Sequence, residues 1–465
     1  MNYYFLGIGG IGMSALARFF KLSGHTVSGY DRTESPLTDQ LEKEGIAIHY
    51  TDSPELIPND IDLVVYTPAV PKETQEYQYL ERQGVPIKKR SEVLGELTKG
   101  KKCIGVAGSH GKTTTSAMIA YLLSKTDIGC SAFLGGISKN FDSNILINND
   151  SEYVVVEADE YDRSFLQLHP YYSVITATDP DHLDIYGTHE NLIAAFQQYA
   201  NQTNPDGALF LKEGVAGHSH HHDHDHDDED HHHHHLEIGQ EIKHFSYSAR
   251  SIEADYYAIN VRNYNGNIFF DLRTPDKVLY DIELHNSCLY NVENAVAAAA
   301  VALSCGVDEY QLRYGLKTFA GIRRRFDVRV KTKDIVYIDD YAHHPKEIAA
   351  TLESIKYLYP DKRIVGIFQP HLYSRTRDLA DEFVEALKPL DETILMPIYP
   401  AREKPIPGVS SGMILRKMQT MNKYLSSADQ VPDLVEALCP DVVVTMGAGD
   451  IDRLVPVLEQ RLKEE

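Results

Sequence analysis

No apolar run in the sequence reaches the roughly 18–20 residues needed to span a bilayer, so no membrane-crossing helix is expected. Cysteine is scarce. Cys103, Cys130, Cys288, Cys305 and Cys439 are scattered, odd in number and never paired as Cys-x-x-Cys. That pattern excludes a disulfide framework and a cysteine zinc site, and predicts reduced, mostly buried thiols of a cytoplasmic protein. Positive charge is short as well: 45 Lys and Arg against 68 Asp and Glu give a formal net charge of −23. Such a chain lacks the basic surface that nucleic acid requires. An anionic ligand must instead be met by local cations and helix N-termini. Met1 to Gly10 has no basic segment followed by an apolar core, so no secretory signal is expected.

What the sequence does have is residues for phosphate chemistry. Gly108-Ser109-His110-Gly111-Lys112-Thr113-Thr114-Thr115 follows the apolar run Cys103 to Ala107 and opens a helical run, Ser116 to Leu123. A glycine turn between strand and helix aims backbone N–H groups at a polyphosphate, and the helix dipole adds attraction. Lys112 supplies a point charge for the terminal phosphates, and the Thr113 hydroxyl is placed to hold magnesium. Val106 stands where the longer Gly-x-x-x-x-Gly-Lys-Thr spacing would have its first glycine. Glu157-Ala-Asp159-Glu160 ends a second apolar run, Tyr153 to Val156, and Asp181-His182 follows a third, Val174-Ile175. A carboxylate at the end of a neighbouring strand completes a metal site of this kind. The expected ligand is a nucleoside triphosphate, ATP, with Mg2+.

The 465 residues are enough for about three domains. Strands are expected at Tyr3–Leu6, Val27–Tyr30 and Leu63–Tyr66, with a helix from Ser14 to Leu22 stopped by Gly24. Strands alternating with helices predict a parallel, doubly wound sheet. Thr98 to Lys102 reads as a linker. Tyr153–Val156, Tyr172–Ile175 and Ala208–Leu211 continue the second unit to an alanine-rich helix, Asn294–Leu303. A third unit begins near Gly321, with strands Ile335–Ile338, Arg363–Phe368, Thr393–Met396 and Val442–Thr445. The expected fold class is α/β with three domains. They are a Rossmann-like N-terminal domain (1–98), a central P-loop ATPase-like domain (99–318) and a C-terminal Rossmann-like domain (319–465).

The segment from His218 to His235 holds eleven histidines and six acidic residues. It cannot bury apolar surface, so 217–236 is expected as a disordered insert. Chelation of zinc, nickel or copper is one role for it; a tolerated polar insertion or a tag-like scar is the other. Gly7-Ile-Gly9-Gly10-Ile-Gly12 lies between a strand and a helix, and Asp31 ends the next strand. The pattern holds a pyrophosphate and a ribose. NAD offers both groups, as does a UDP-sugar, and the ATP site in the next domain favours the latter.

With these motifs in this order, the chain resembles the Mur ligases, the ATP-dependent amide-forming enzymes of bacterial cell-wall synthesis. The resemblance covers nearly the whole chain. It rests on the glycine turn through Ser14, on residues 108–115, on Glu-Ala-Asp-Glu-Tyr-Asp (157–162) and on Asp-His-Leu-Asp (181–184). It continues with Asn291 and Asn294, Arg-Arg-Arg-Phe-Asp (323–327), Asp-Asp-Tyr-Ala-His-His-Pro (339–345), residues 369–378 and Gly-Ala-Gly-Asp-Ile (447–451). It implies that L-alanine is joined to the lactyl carboxylate of UDP-N-acetylmuramate through an acyl phosphate, giving ADP and phosphate. Ligation of a whole murein tripeptide to the same sugar nucleotide is the alternative; an NAD-dependent oxidoreductase is a more distant one.

The roles implied by the resemblance are these. Gly108, Ser109, His110, Gly111, Lys112, Thr113 and Thr114 cradle ATP, Asn294 contacts adenine, and Arg325 and Asp340 reach the nucleotide when the domains close. Thr113 and Glu157 hold one magnesium, and Glu157 with His182 a second; the imidazole leaves room for Mn2+. Gly9, Gly10, Gly12, Ser14, Asp31 and Thr67 meet the UDP-sugar. His343, His344, His371, Tyr373 and Arg375 surround the amino acid and the reacting carboxylate. One of His343 and His344, just before Pro345, could instead cap the next helix. The catalytic set is Lys112, His182, His344 and Arg375. Leu372 stands where the family often has arginine, which leaves Arg375 as the anchor for the amino-acid carboxylate. Partners are small molecules only, with no nucleic acid and no membrane, and the protein is expected as a cytoplasmic monomer or homodimer.

Overall fold

The computed structural model describes residues 1–180, 183–216, 235–401 and 403–464. Its backbone is organised by three sheets. The first is wholly parallel, with strands β1 (Asn2–Leu6), β2 (Thr26–Tyr30), β3 (Ala47–His49), β4 (Leu63–Tyr66) and β5 (Ile87–Lys89) in the order 3-2-1-4-5. Central β1 is buried from Tyr3 to Leu6, which explains its unbroken apolar run. Strand order reverses at β1, so a crevice opens beyond the carboxyl ends of β1 and β4. The glycine turn and Thr67 lie there. Gly7 has φ +86°, and a Cβ on it would stand 2.6 Å from Thr67 Cγ2. The helix Ile11–Leu22 follows the turn.

A buried polar cluster sits beneath this sheet. Tyr4 donates to Glu76 Oε2 at 2.5 Å and lies 2.8 Å from His49 Nε2, and Ser53 N–H donates to Glu76 Oε1 at 3.0 Å. Burial pushes the Glu76 carboxyl up to about 7, against the pull of those two hydrogen bonds. Its folded-state pKa is above the ordinary value of 4.5. The stability it contributes is therefore full below that value and lost as pH rises through about 7. Thermal melts from pH 5 to 8.5 should show the wild type losing stability more steeply than Glu76→Gln. Parallel curves would contradict this.

The second sheet contains β6 (Lys102–Ala107), β7 (Ser131–Ser138), β8 (Ser143–Leu146), β9 (Tyr153–Glu157), β10 (Tyr172–Ile175), β11 (Ala208–Lys212), β12 (His244–Ser248), β13 (Tyr256–Tyr264), β14 (Asn267–Arg273) and β15 (Val278–Leu284). The order is 15-14-13-12-11-10-6-9-7-8. The stretch β7 to β12 is parallel except for the antiparallel pair β7/β8. The sheet is thus mixed. β6 is flanked by β9 and β10, so the phosphate loop, Glu157 and Thr176 emerge side by side at their carboxyl ends.

Contact clustering divides the chain into two compact units. The first is 1–259 with 271–282 and 293–319; the second is 260–270 with 283–292 and 320–465. The first sheet and strands β6 to β12 of the second share one unit because their elements pack together. Phe19 of the first helix meets Phe133 of β7 at 5.5 Å, and one core joins Phe5 and Leu16 to Val156 and Phe196. Arg18 donates to Asn144 Oδ1 (2.6 Å), and Asn144 donates to Ser14 Oγ (2.9 Å).

In the second unit, β16 (Asp327–Lys331), β17 (Val336–Asp340), β18 (Ile364–Phe368), β19 (Glu392–Leu395), β20 (Lys423–Leu425) and β21 (Val442–Met446) take the order 16-17-21-18-19-20. All neighbours are parallel except β16/β17. Antiparallel pairing sets Asp327 opposite Asp339, so the arginines before β16 lie at the carboxyl end of β17. The three-domain α/β class holds.

Residues 217–234 of the expected His-rich insert lie outside the described residues. Leu236, at its expected far end, is buried, and its N–H donates to Val215 O at 3.0 Å. Among the described residues no helix is long and apolar enough to cross a membrane. All five cysteines are free, and Cys439 is exposed.

Candidate functional site

The phosphate loop is shaped by glycines and by its contacts with β10. Gly108 has φ +131°, and a Cβ there would fall 2.2 Å from Thr176 Oγ1. Ser109 N–H donates to Ala177 O (3.0 Å), and Thr176 Oγ1 donates to Ala107 O (3.1 Å) and to His110 O. Ser109 Oγ donates to Asp179 O at 2.8 Å, so its hydroxyl braces the turn. Gly111, left-handed at φ +81°, starts the helix Lys112–Ser124. Thr113 and Thr114 are nearly buried in its first turn, and His110 is exposed. Asn294, on the helix Asn291–Ser304, accepts from Thr115 Oγ1 at 3.2 Å and lies close to Gly111. It buttresses the phosphate loop.

Lys112 reaches back over the loop. Its ammonium donates to Gly108 O (2.6 Å) and to Glu160 Oε1 (2.8 Å). Burial works against this charge, but Glu160, Asp159 and Glu157 outweigh it and hold the lysine pKa above its ordinary value. Burial raises the Glu160 pKa, with Lys112 opposing. Lys112 therefore stays a cation, held by a carboxylate where a phosphate would bind. Sequence reasoning did not assign Glu160 this role, because three residues after Glu157 no local spacing marks it.

Glu157, at the end of β9, accepts from Gly135 N–H at 3.0 Å. A Cβ on Gly135 would meet the Glu157 carboxylate at 2.2 Å. Gly135, which sequence reasoning passed over, thus fixes where Glu157 points. The Thr113 hydroxyl and Glu157 carboxylate are hard oxygen donors, the kind magnesium takes together with phosphate and water oxygens. Among the described residues no group of three or more His, Cys, Asp and Glu gathers into a preformed metal cluster. His182, expected as a metal ligand and catalytic residue, lies outside the described residues, as does Asp181. Gly135→Ala should weaken metal-dependent turnover by about 10–100-fold, the usual cost of disturbing a ligand's support. A magnesium titration of activity checks this, with raised magnesium giving partial rescue. An unchanged titration curve would contradict it.

A cavity of about 240 Å³ joins this region to the glycine turn, with Gly10, Gly12, Thr67, Arg90, Gly135 and Glu157 among its lining. Gly9 N–H donates to Asp31 Oδ2 (2.8 Å), and Thr33 N–H donates to Asp31 Oδ1 (3.1 Å). Asp31 therefore clasps the turn. Ser14, expected at the sugar, is bonded within the protein. It is fully buried, donating to Ile11 O (2.8 Å) and accepting from Asn144, so its hydroxyl ties the helix to β8.

In the second unit the expected residues collect at the carboxyl ends of β17, β18 and β21. Asp340 is buried and accepts four hydrogen bonds: Phe326 N–H (3.2 Å), Ala342 N–H (3.0 Å), Thr351 Oγ1 (3.0 Å) and Tyr290 OH (3.3 Å). Three of these fall on Oδ2 and one on Oδ1, so the carboxylate scaffolds the arginine loop. The Arg325 guanidinium lies over the Tyr341 ring, 5.0 Å from its centroid. His343 Nδ1 is 3.0 Å from Tyr341 O and 3.5 Å from Glu347, and its ring meets His371 edge-on at 5.8 Å. Burial lowers the His343 pKa; Glu347 opposes this, and Arg375 and Arg325 add to it. Burial works against the Glu347 charge, but His343, backbone N–H groups and Arg325 outweigh it and hold its pKa low. Glu347, missed by sequence reasoning, is the carboxylate partner of His343.

His344 is placed differently. Its Nδ1 accepts from Lys346 N–H at 3.4 Å, capping the helix Pro345–Leu358. His371 stacks on Tyr399 at 5.7 Å. Tyr373 opens the short helix Tyr373–Asp378, whose first turn is fastened by Ser374 N–H donating to Glu403 Oε2 at 3.0 Å. Arg375 has a buried Nη1 with no hydrogen-bond partner among the described residues. Leu372, just before it, has φ +70°, a strained value for a residue with a Cβ.

Residues 2–102 match the family model "Mur ligase family, catalytic domain", 106–302 match "Mur ligase middle domain" and 324–449 match "Mur ligase, glutamate ligase domain". The UDP-N-acetylmuramate–L-alanine ligase of Parabacteroides distasonis is 48% identical over 99% of this chain and 97% of that protein. Among solved structures, the UDP-N-acetylmuramate–alanine ligase of Thermotoga maritima superposes with a TM-score of 0.82 at 28% identity, covering 100% of this chain and 99% of that one. The murein peptide ligase of Psychrobacter arcticus, at 22% identity and a TM-score of 0.68 over 100% of this chain and 99% of its own, shares the fold. The match is end to end and follows the order of the three sheets and their motifs: the chain belongs to the Mur ligase family.

Proposed function

We propose that this chain joins L-alanine to the lactyl carboxylate of UDP-N-acetylmuramate, at the expense of ATP, in peptidoglycan precursor synthesis. End-to-end similarity to a ligase of that name, at 48% identity, carries the substrate assignment. Tripeptide ligation loses ground, because the murein peptide ligase is 22% identical.

A carboxylate carbon is a poor electrophile, so it must first be activated. The sugar nucleotide enters over the glycine turn, and its carboxylate is directed along the cavity toward Glu157. There the carboxylate oxygen attacks the γ-phosphate, the bond to the β-phosphate oxygen breaks, and ADP leaves. Lys112 exchanges Glu160 for the phosphates and neutralises the charge that develops. Thr113 and Glu157 would hold one magnesium, and Glu157 with His182 a second, where manganese could stand in; bound there, the ions would supply further charge neutralisation. Arg375 receives the amino-acid carboxylate. His343, rather than His344, takes the proton from the alanine amine: it faces the Arg375 cluster, and burial favours its neutral, proton-accepting form. The amine then attacks the acyl carbon and phosphate leaves. Water would destroy the acyl phosphate, so closure that excludes it is part of the reaction.

Domain boundaries near residues 98 and 318, a cytoplasmic location and a monomeric or homodimeric state complete the proposal. Phosphate release from ATP, screened against single amino acids with UDP-N-acetylmuramate and magnesium, tests it. Release is expected with L-alanine and to a lesser degree with other small L-amino acids. Release only with a tripeptide would redirect the assignment.

A further inference from the structure

Arg90 belongs to none of the motifs above, yet it occupies the cavity between the glycine turn and Glu157. It follows β5, whose last residue Lys89 pairs with Tyr66 of β4, so Arg90 emerges at the same sheet edge as Thr67. Its guanidinium lies on the glycine turn. A Cβ on Gly12 would fall 2.7 Å from Arg90 Nη1 and 3.2 Å from its Cζ. Absence of a side chain at Gly12 thus gives the arginine its seat. Nη2 donates to Asp159 Oδ2 at 3.2 Å, a single bond where a carboxylate could accept two. Lys89 donates to Asp162 Oδ2 at 2.8 Å. Both cations line the cavity. The arginine side chain is 18% exposed and its partner Asp159 38%, so the pair is open to exchange.

From this placement we infer that Arg90 binds the diphosphate of the sugar nucleotide, and that Asp159 holds its guanidinium until that anion arrives. The inference rests on the reading above that a sugar nucleotide enters over the glycine turn. Backbone N–H groups at the start of the helix Ile11–Leu22 would meet the diphosphate from one side. Arg90 meets it from the other, with a planar fork suited to phosphate oxygens. Release of Asp159 follows from the exchange.

The test compares wild type, Arg90→Gln and Asp159→Asn for binding of UDP and of uridine by calorimetry, and for turnover. Arg90→Gln should weaken UDP binding at least tenfold and leave uridine binding within twofold. It should raise the KM for UDP-N-acetylmuramate more than it lowers kcat. Asp159→Asn should tighten UDP severalfold, because the competing carboxylate is gone. Unchanged UDP binding in Arg90→Gln would overturn the inference. Equal loss of UDP and uridine would overturn it too, since that marks a structural role. If the wild type itself fails to bind UDP-N-acetylmuramate, the proposed function falls instead.

Discussion

Lys112→Ala should lower phosphate release by about 10³-fold or more, because it removes a positive charge held over the phosphate loop as negative charge shifts onto the leaving ADP. The structure adds a second consequence. Lys112 is the ion partner of Glu160, whose side chain is 1% exposed. Removing one member of a buried pair costs roughly 3–5 kcal/mol when the survivor keeps its charge. Protonation of Glu160, whose pKa is already raised, relieves part of that cost. The single variant should therefore be less stable as well as inactive. Lys112→Ala with Glu160→Gln separates the effects: stability in denaturant melts returns toward wild type, and activity does not. Recovery of activity in the double variant would show that the lysine matters only as a structural counter-ion.

His343→Gln should lower kcat by about 10²–10⁴-fold, the range for loss of a positioned base. The pH profile gives the sharper measurement. A base must be unprotonated to act, and the His343 pKa is held below 6.5 by burial and by Arg375 and Arg325. The acid limb of the wild-type kcat profile should thus fall below pH 6.5 and vanish in the variant. Glu347→Gln should move that limb to lower pH, because the carboxylate is the group that favours protonation of His343. His344→Gln should leave the limb in place and cost only the stability of a helix cap, about 1 kcal/mol. A lost limb in His344→Gln, retained in His343→Gln, would reverse the assignment.

Much of this fold was legible in the sequence, because buried parallel strands write themselves as short apolar runs. β1, β2, β4, β6, β9, β10, β11, β17, β18, β19 and β21 were each marked that way, and the functional motifs follow directly where such strands end. The antiparallel additions were not legible. β7 carries Gly135 and Gly136, β8 begins at a serine, and β16 is Asp-Val-Arg-Val-Lys, so none of these three reads as an apolar core strand. Yet β16 brings the arginine loop to the end of β17, and β7 positions Glu157. Residues that act through a distant partner were also invisible. Arg90 depends on Gly12, Glu160 on Lys112 and Gly135 on Glu157, and these pairings exist only once the sheets are assembled. The sequence placed Ser14 and Asp340 among ligand contacts because they sit inside motifs. The structure shows both hydroxyl and carboxylate bonded within the protein, since a motif also contains the residues that keep its shape.

One isotope experiment tests the activated carboxylate most directly. UDP-N-acetylmuramate carrying ¹⁸O in its lactyl carboxylate is incubated with ATP, magnesium, L-alanine and the enzyme, and the phosphate produced is analysed by mass spectrometry. One labelled oxygen should appear in each phosphate released. Unlabelled phosphate from a reaction that still forms the alanyl product would contradict the account, because the sugar carboxylate would then never have been joined to phosphorus.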